Sequence, residues 1–321
     1  MEEEISTAVF CLKNNRATGP SHLKAEYLKE FYRMAYPPWN RTDGEAADPD
    51  PRRWNKLCEL NQHIFHTGEL PQHLQWSFLA LIPKPDGHSR GIGLLETIWK
   101  VCEAIIDSRI KEKVRFHDIL HGFVPHRGTG TAIIEAKLQQ ELASINQRPL
   151  FQVFLDLKKA FDTIDRPRLL TTLRNYGMGN NCLRILQNFW EGQQIVAKKA
   201  GFYGPAFSAS RGVTQGGLVV PTLFDIAIDN VTRYWLSLVI DDQGAIHDGL
   251  GSTVEDRLAL MYADDGLISS TDHLWLQHAL NILIDLFRRI GLQTNTVKTK
   301  MMTCYPGYIP QPLSTDAYKC K

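Results

Sequence analysis

At 321 residues, with 43% hydrophobic and 22% charged side chains, the chain fits a soluble globular protein with a substantial core and room for two subdomains. Its net charge of +1 is neutral on the question of a nucleic-acid partner, and its six scattered cysteines, none in a CxxC pair, indicate neither a zinc site nor a disulfide framework. The acidic Met1-Glu2-Glu3-Glu4 start is unlike a signal peptide, no apolar run approaches the roughly 18 residues that span a bilayer, and the cysteines suit a reducing, intracellular compartment.

Ile5, Val9 and Leu12 predict an amphipathic opening helix, followed by a basic turn from Lys13 through Gly19 and Pro20. Tyr36 to Arg53, rich in Pro, Asp and Gly, reads as an exposed loop. Phe78 to Ile82 form a strand that turns at Pro83-Lys84-Pro85-Asp86-Gly87 and returns through Arg90, Ile92 and Leu94. Lys84 and Arg90 are then cations at a hairpin turn, on local grounds either solvated or in contact with a ligand. Leu95, Ile98, Cys102, Ile105 and Ile106 have the spacing of a core-facing helix. A loop with Gly122, Phe123, His126, Arg127 and Gly128 leads to a helix carrying Ile133, Ile134, Leu138 and Leu142. The His63/His66 and His117/His121 pairs have metal-binding spacing, but with no third ligand they read as helix-surface histidines.

Phe151, Val153, Phe154 and Leu155 make a strand ending at Asp156, with Leu157 to Asp162 beyond it. Asp165 is placed to cap a helix that has Pro167 in its first turn and stops at Gly177. A glycine-rich segment, Gly212 to Gly217, precedes a helix with Ile226, Ile228, Val231, Tyr234 and Trp235, and Asp241 to Glu255 is a polar excursion. In Leu258 to Ser269 an apolar run is broken once, by Asp264, Asp265 and Gly266, which predicts strand, tight turn, strand with both carboxylates at the tip. Adjacent carboxylates on a largely buried hairpin need positive charge nearby, and Mg²⁺ supplies it through hard oxygen ligands. Taken alone, the dipeptide favours an ordinary Asp-Asp-Gly turn facing solvent. With the two strands in one sheet, Asp156 and the Asp264–Asp265 pair would converge, and two metals about 3.5–4 Å apart could serve an in-line phosphoryl displacement. Leu276, Leu280, Leu283, Ile284, Phe287 and Ile290 then form a helical stripe ended at Gly291, before Lys298-Thr299-Lys300.

These segments carry a resemblance. Asp156 to Asp162 resembles polymerase motif A, Gly212-Val213-Thr214-Gln215-Gly216-Gly217 with Pro221 resembles motif B, Tyr262-Ala263-Asp264-Asp265 resembles motif C, and Gly291 to Lys300 looks like motif D. In that order they are similar to the reverse transcriptases of non-LTR (LINE-like) retrotransposons, with group II intron enzymes next. The resemblance implies an α+β right-hand fold of fingers and palm: fingers with an amino-terminal extension over 1–150, an antiparallel palm sheet backed by helices over 151–305, and a tail over 306–321 toward a missing thumb. It implies an RNA-directed DNA polymerase, a nucleotidyltransferase adding dNTPs to a DNA primer on an RNA template, within the nucleus or a cytoplasmic ribonucleoprotein if the host is eukaryotic. It also implies two Mg²⁺ ions, replaceable by Mn²⁺, on Asp156, Asp264 and Asp265, and further domains of a longer polyprotein, with no membrane partner.

By the same resemblance Lys84 and Arg90 hold the triphosphate, and Phe161, an aromatic where RNA-synthesising relatives have a carboxylate, excludes the ribose 2′-hydroxyl. Gln215, Gly216 and Tyr262 lie at the nucleotide, Phe123 and Arg127 at the template, and Lys298 near the leaving pyrophosphate as a general acid. The turn Ala17-Thr18-Gly19-Pro20 resembles a template-contacting turn. Ser21 replaces the usual Asp, Gly91 the usual Pro, Gly93 the usual Ser, and Asp225 a frequent Asn. The competing expectation is a nucleic-acid-binding remnant of a retroelement that has lost turnover.

Overall fold

Alternating apolar residues build two sheets, and periodic stripes build the helices that cover them. The computed structural model describes residues 1–37, 49–83, 89–199, 201–240 and 259–304. In chain order the first elements are α1 (Glu2–Cys11), α2 (Ala25–Ala35), α3 (Arg52–Thr67), β1 (Trp76–Pro83), β2 (Ser89–Leu95), α4 (Thr97–Lys113) and α5 (Thr129–Ile145). Next come β3 (Phe151–Asp156), a single turn α6 (Ala160–Thr163), α7 (Arg166–Asn175), α8 (Asn180–Gly192), β4 (Gln194–Lys199) and β5 (Phe202–Phe207). The last are α9 (Val220–Val239), β6 (Ala259–Tyr262), β7 (Asp265–Ser270), α10 (His273–Arg289) and β8 (Lys300–Thr303). No helix among the described residues is long and apolar enough to cross a membrane. Lys84, most of the loop from Tyr36, the excursion from Asp241 and the tail over 306–321 lie outside the described residues.

The chain forms two compact units, Met1–Val114 with Leu173–Val220, and Arg115–Thr172 with Pro221–Lys321. These units are discontinuous, unlike the linear division at residue 150. The cause is β4, which lies between motifs A and B in sequence yet pairs in parallel with β1, Trp76 opposite Gln194 through Ala80 opposite Lys198. Hydrogen bonding therefore returns the segment after α7 to the first unit.

The first unit holds a sheet of order β2-β1-β4-β5, antiparallel except at the β1–β4 pair. The expected β1–β2 hairpin is thus half of a mixed sheet. Its helices bury the predicted stripes: Ile5 and Val9 on α1, and Cys102, Ile105 and Ile106 on α4. Trp99 of α4 lies flat on Phe189 of α8, ring centroids 3.9 Å apart.

In the second unit the sheet order is β6-β7-β3-β8, antiparallel throughout. Helix α10 buries Leu276, Leu280, Leu283, Ile284 and Phe287 and stops before Gly291. Trp235 on α9 donates its indole N–H to the Ala279 carbonyl at 2.8 Å. Asp165 caps α7 through the Arg168 N–H at 3.0 Å.

Helix α5 behaves differently. Ile133, Ile134 and Leu138 are exposed, while Gln139 and Ala143 are buried. The buried side is a polar network in which Ser269 of β7 donates to Gln139 at 2.9 Å, Gln140 donates to Gln152 of β3 at 2.7 Å, and Gln152 donates to Ser269 at 3.2 Å. Hydrogen-bonded amides replace an apolar seam here, and apolar periodicity does not show such a network. The histidines also divide. His63 and His66 lie exposed on α3, whereas His117 and His121 precede α5 on either side of a turn at Asp118–Ile119, and His121 is buried.

Candidate active site

The palm turn is built by register. Asp156, the last residue of β3, pairs with Asp265, the first of β7, and Tyr262 also faces Asp265 across the β6–β7 ladder. Directly paired residues point to one side of a sheet with Cβ atoms about 4.5–5.5 Å apart, so Asp156 and Asp265 are neighbouring carboxylates. Ala263 and Asp264 make the turn itself, and Ala263 takes a positive φ of 53°, a conformation that costs an L-residue roughly 1–2 kcal/mol. Such strain persists only when surroundings fix it.

Those surroundings are the segment from Ile119 to Gly122. The Met261 N–H donates to the Ile119 carbonyl and the His121 N–H to the Met261 carbonyl, both at 2.7 Å, so this stretch lines the outer edge of β6. At Gly122 the backbone presses on the turn: a Cβ there would lie 2.5 Å from the Ala263 nitrogen. Only glycine fits. Phe123 follows, exposed, with its ring 6.4 Å from that of Tyr262. Arg127 is engaged in holding this segment, donating to the His117 carbonyl at 2.8 Å and the Leu120 carbonyl at 3.0 Å and pairing with Asp118.

On the far side, residues after α10 bracket Asp156. The Asn295 N–H donates to the Asp156 carbonyl at 2.7 Å, the Lys158 N–H to the Gln293 carbonyl at 2.7 Å, and the Asp156 N–H to the Thr299 hydroxyl at 3.4 Å. This places Lys298 on the turn before β8, with its ammonium 3.5 Å from an Asp156 oxygen. Asn295 and Thr299 fall in the stretch that resembles motif D; their hydrogen bonds to the Asp156 backbone, which no spacing pattern foretells, fix the end of β3.

The carboxylates are unevenly compensated. Burial pushes the Asp265 carboxyl up, the negative charges of Asp264 and Asp156 push it further, and Lys298 opposes them. Burial raises Asp162 as well, against Lys159. Among the described residues no group of three or more His, Cys, Asp or Glu forms a metal cage. Mg²⁺ does not require one, since one or two carboxylates with water and substrate phosphates suffice. Two cross-strand carboxylates and a third in the turn are a donor set that fits such an ion, with the exposed Lys298 ammonium as the cation it would displace from Asp156.

Phe161, on α6, packs 4.5 Å centroid to centroid against the fully buried Phe224 of α9. The second unit therefore brings together Asp156, Tyr262, Asp264, Asp265 and Lys298, and anchors Phe161 on a helix of the same unit.

The first unit carries Arg90, Gln215 and Gly216. Arg90 is exposed on β2. The loop with Gln215 is tied to β2 by the Gly93 N–H, which donates to the Gln215 carbonyl at 2.6 Å. Gly216 has φ 116°, and a Cβ on it would collide with the Gly93 carbonyl, as a Cβ on Gly93 would collide with the Thr214 methyl. Gly93 is thus the partner of a backbone-to-backbone contact, which accounts for glycine at that position. Gln193 and Thr214 exchange hydrogen bonds at 2.8 and 3.1 Å, and buried Glu103 of α4 accepts the Leu218 N–H at 2.9 Å. Burial pushes Glu103 up to about 7, with the Leu218 N–H opposing. In the amino-terminal turn, Ser21 donates both its N–H, at 2.8 Å, and its hydroxyl to Glu96, so an Asp at this position would face a carboxylate.

Known proteins resemble this chain in sequence and in fold. The chain is 24% identical over 249 residues to the "Retrovirus-related Pol polyprotein from type-2 retrotransposable element R2DM" of Drosophila melanogaster, covering 75% of this chain and 22% of that one. It is 25% identical over 258 residues to the "RNA-directed DNA polymerase from mobile element jockey" of Drosophila funebris, covering 74% of this chain and 26% of that one. The chain therefore spans about a quarter of the length of these relatives. Among solved structures, telomerase from Candida tropicalis in complex with the TWJ fragment of telomeric RNA shares the fold, with a TM-score of 0.56 at 14% identity over 89% of this chain and 50% of that one. The truncated apo telomerase from the same organism gives 0.53 at 14% identity, over 82% of this chain and 57% of that one. The model of the "Reverse transcriptase (RNA-dependent DNA polymerase)" family matches residues 82–319, and with its paired palm carboxylates the chain belongs to that family.

Proposed function

We propose that this chain is the fingers-and-palm module of an RNA-directed DNA polymerase of a non-LTR retroelement. The observation that carries the proposal is the register pairing of Asp156 with Asp265 at the mouth of an antiparallel sheet, with Asp264 in the adjoining turn. In the proposed reaction a primer 3′-hydroxyl attacks the α-phosphate of a dNTP on an RNA template, and pyrophosphate leaves. Asp156, Asp264 and Asp265 hold two Mg²⁺ ions, or Mn²⁺ in their place. Bound there, the ions supply charge neutralisation at the phosphate and lower the pKa of the attacking hydroxyl.

The remaining work falls to the chain's own side chains. Arg90, with Lys84, grips the triphosphate through charge and a bidentate guanidinium. Gln215 and Gly216 bring a polar side chain and a bare backbone to the nascent base pair. Phe161, backed by Phe224, fills the space a ribose 2′-hydroxyl would take. Tyr262 lies beside the metal carboxylates, and Lys298 releases Asp156 and gives its Nζ proton to the leaving pyrophosphate oxygen. Phe123 is assigned to stacking on the template. Arg127 acts by holding the Phe123 loop through the His117 and Leu120 carbonyls, a duty that replaces direct phosphate contact.

Extension of a DNA primer on an RNA template by dNTPs and Mg²⁺, at low salt, tests the proposal beside an Asp264→Ala/Asp265→Ala control. Extension that vanishes in the control supports it. The second reading, a binding remnant without turnover, is favoured by the departure at Gly91, where the family usually has Pro. Template binding with no extension in either protein would support that reading and overturn the first.

A further inference from the structure

The glutamine loop of the first unit is a crest on buried feet. Gln215 is half-buried and Gly216 exposed, whereas Val213, Gly217 and Val219 are buried. The Gly217 N–H closes the crest on the Thr214 carbonyl at 3.1 Å. Up to Gln215 the loop is held by Gln193 and by the Gly93 N–H. Beyond the crest Glu103 of α4 takes over. Its Oε2 accepts the Leu218 N–H at 2.9 Å, and its Oε1 lies so close to Gly217 that a Cβ there would be 2.4 Å away. Both oxygens of one carboxylate thus face the rear foot of the loop.

A carboxylate is an expensive choice at this position. Glu103 is only 2% exposed, on a helix whose buried residues include Trp99, Val101, Cys102, Ile105 and Ile106. Taking a carboxylate out of water is unfavourable unless hydrogen bonds replace its hydration, and a leucine of similar bulk would pack there without that cost. Lys100, one turn earlier on α4, opposes the effect of burial. The hydrogen bond that Glu103 makes goes to backbone, and that backbone lies 115 residues away in the chain, in the loop. A bond from an amide to a carboxylate is stronger than one between neutral groups. Packing alone needs no acceptor here; holding the loop does.

We propose that Glu103 is a positioning residue for the nascent base pair, setting the place of the Gln215–Gly216 crest through the Leu218 N–H. It acts through the loop rather than by touching substrate. The role rests on the polymerase reading, in which that crest meets the incoming nucleotide. The crest serves the pair in the ground state and the transition state alike, so loosening it weakens dNTP binding and leaves the chemical step, the work of the palm carboxylates, at its own rate.

The test compares hydrogen exchange of the Leu218 amide and single-nucleotide primer extension on an RNA template in the full chain and two variants. Glu103→Leu keeps the bulk and removes the acceptor, whereas Glu103→Gln keeps an acceptor. Glu103→Leu is expected to speed exchange at Leu218 ~10-fold or more. It should also raise KM for the dNTP about 10-fold, with the rate at saturating dNTP within about three-fold of the parent. Glu103→Gln should hold both measurements within about two-fold of the parent. Should Glu103→Leu fold poorly, Gly217→Ala displaces the same foot from the loop side, its Cβ 2.4 Å from the carboxylate, and should raise KM alike. An unchanged KM in Glu103→Leu and Gly217→Ala, an equal loss in Glu103→Gln, or a fall in the saturated rate at constant KM would each overturn the role. Primer extension by the parent separates the two ideas: a parent that extends nothing removes the polymerase reading and this role with it, and a parent that extends beside variants of unchanged KM removes the role alone.

Discussion

The two sheets concentrate opposite charges. Asp156, Asp264 and Asp265 crowd one turn of the β6-β7-β3-β8 sheet with Lys298 as their neighbouring cation, whereas the strands of the other sheet carry three cations and no carboxylate. A net charge of +1 over the whole chain hides this segregation. Composition averages over the surface, while chemistry at a site depends on which charges the register places side by side.

The largest effect should come from removing a palm charge without changing its shape. Asp265→Asn is expected to lower primer extension roughly 10³-fold, the scale of several kcal/mol of transition-state stabilisation. Its thermal unfolding at neutral pH should be unchanged or slightly higher. Burial, Asp264 and Asp156 all raise the Asp265 pKa, so the charged carboxylate destabilises the folded state above that pKa. A marked loss of Tm would mean that Asp265 is a structural group, and the contrast between the sheets would lose its catalytic meaning.

A smaller effect tests whether the turn must be held in place. Gly122→Ala puts a Cβ 2.5 Å from the Ala263 nitrogen, and a displacement of the turn by even ~1 Å is expected to cost about 10²-fold in kcat. Single-turnover rates with saturating dNTP measure it, and an unchanged rate would show that the turn tolerates movement.

The smallest effect belongs to the one buried carboxylate tied to the glutamine loop. Glu103 rises from the ordinary 4.5 to about 7 on burial, so between those values the folded state binds more protons than the unfolded one. Stability therefore falls as pH rises through this window, and the full penalty is present above it. Glu103→Gln should flatten that slope and raise Tm at pH ~8 relative to the parent. Parallel Tm curves for the two proteins would show that Glu103 does not titrate in this range.

Much of the site was legible because its elements are marked by local chemistry. An apolar run interrupted by Asp264-Asp265-Gly266 can form a hairpin with both carboxylates near its turn, and Asp165 before Arg166-Pro167 reads as a helix start in any fold. The stripe of α10 behaved likewise, since a strong 3.6-residue period has one way to bury itself, whereas α4 buries Trp99, Val101 and Glu103 as well as its expected Cys102, Ile105 and Ile106. Helix α5 did not, because its anchor is a network of Gln139, Gln140, Gln152 and Ser269 rather than its isoleucines.

By itself the sequence determined the β1–β2 hairpin, the strand ending at Asp156, the Asp264–Asp265 hairpin, the α10 stripe and the order of the motifs, but not β4 or β5. Tertiary structure decided that Asp156 faces Asp265, that Gly122 and Gly93 are contact points of backbone on backbone, that β4 returns to β1, and that Glu103 meets the Leu218 N–H. The physical reason is that periodicity and turn chemistry act over a few residues, whereas register between strands is fixed by hydrogen bonds and burial among segments far apart in the chain.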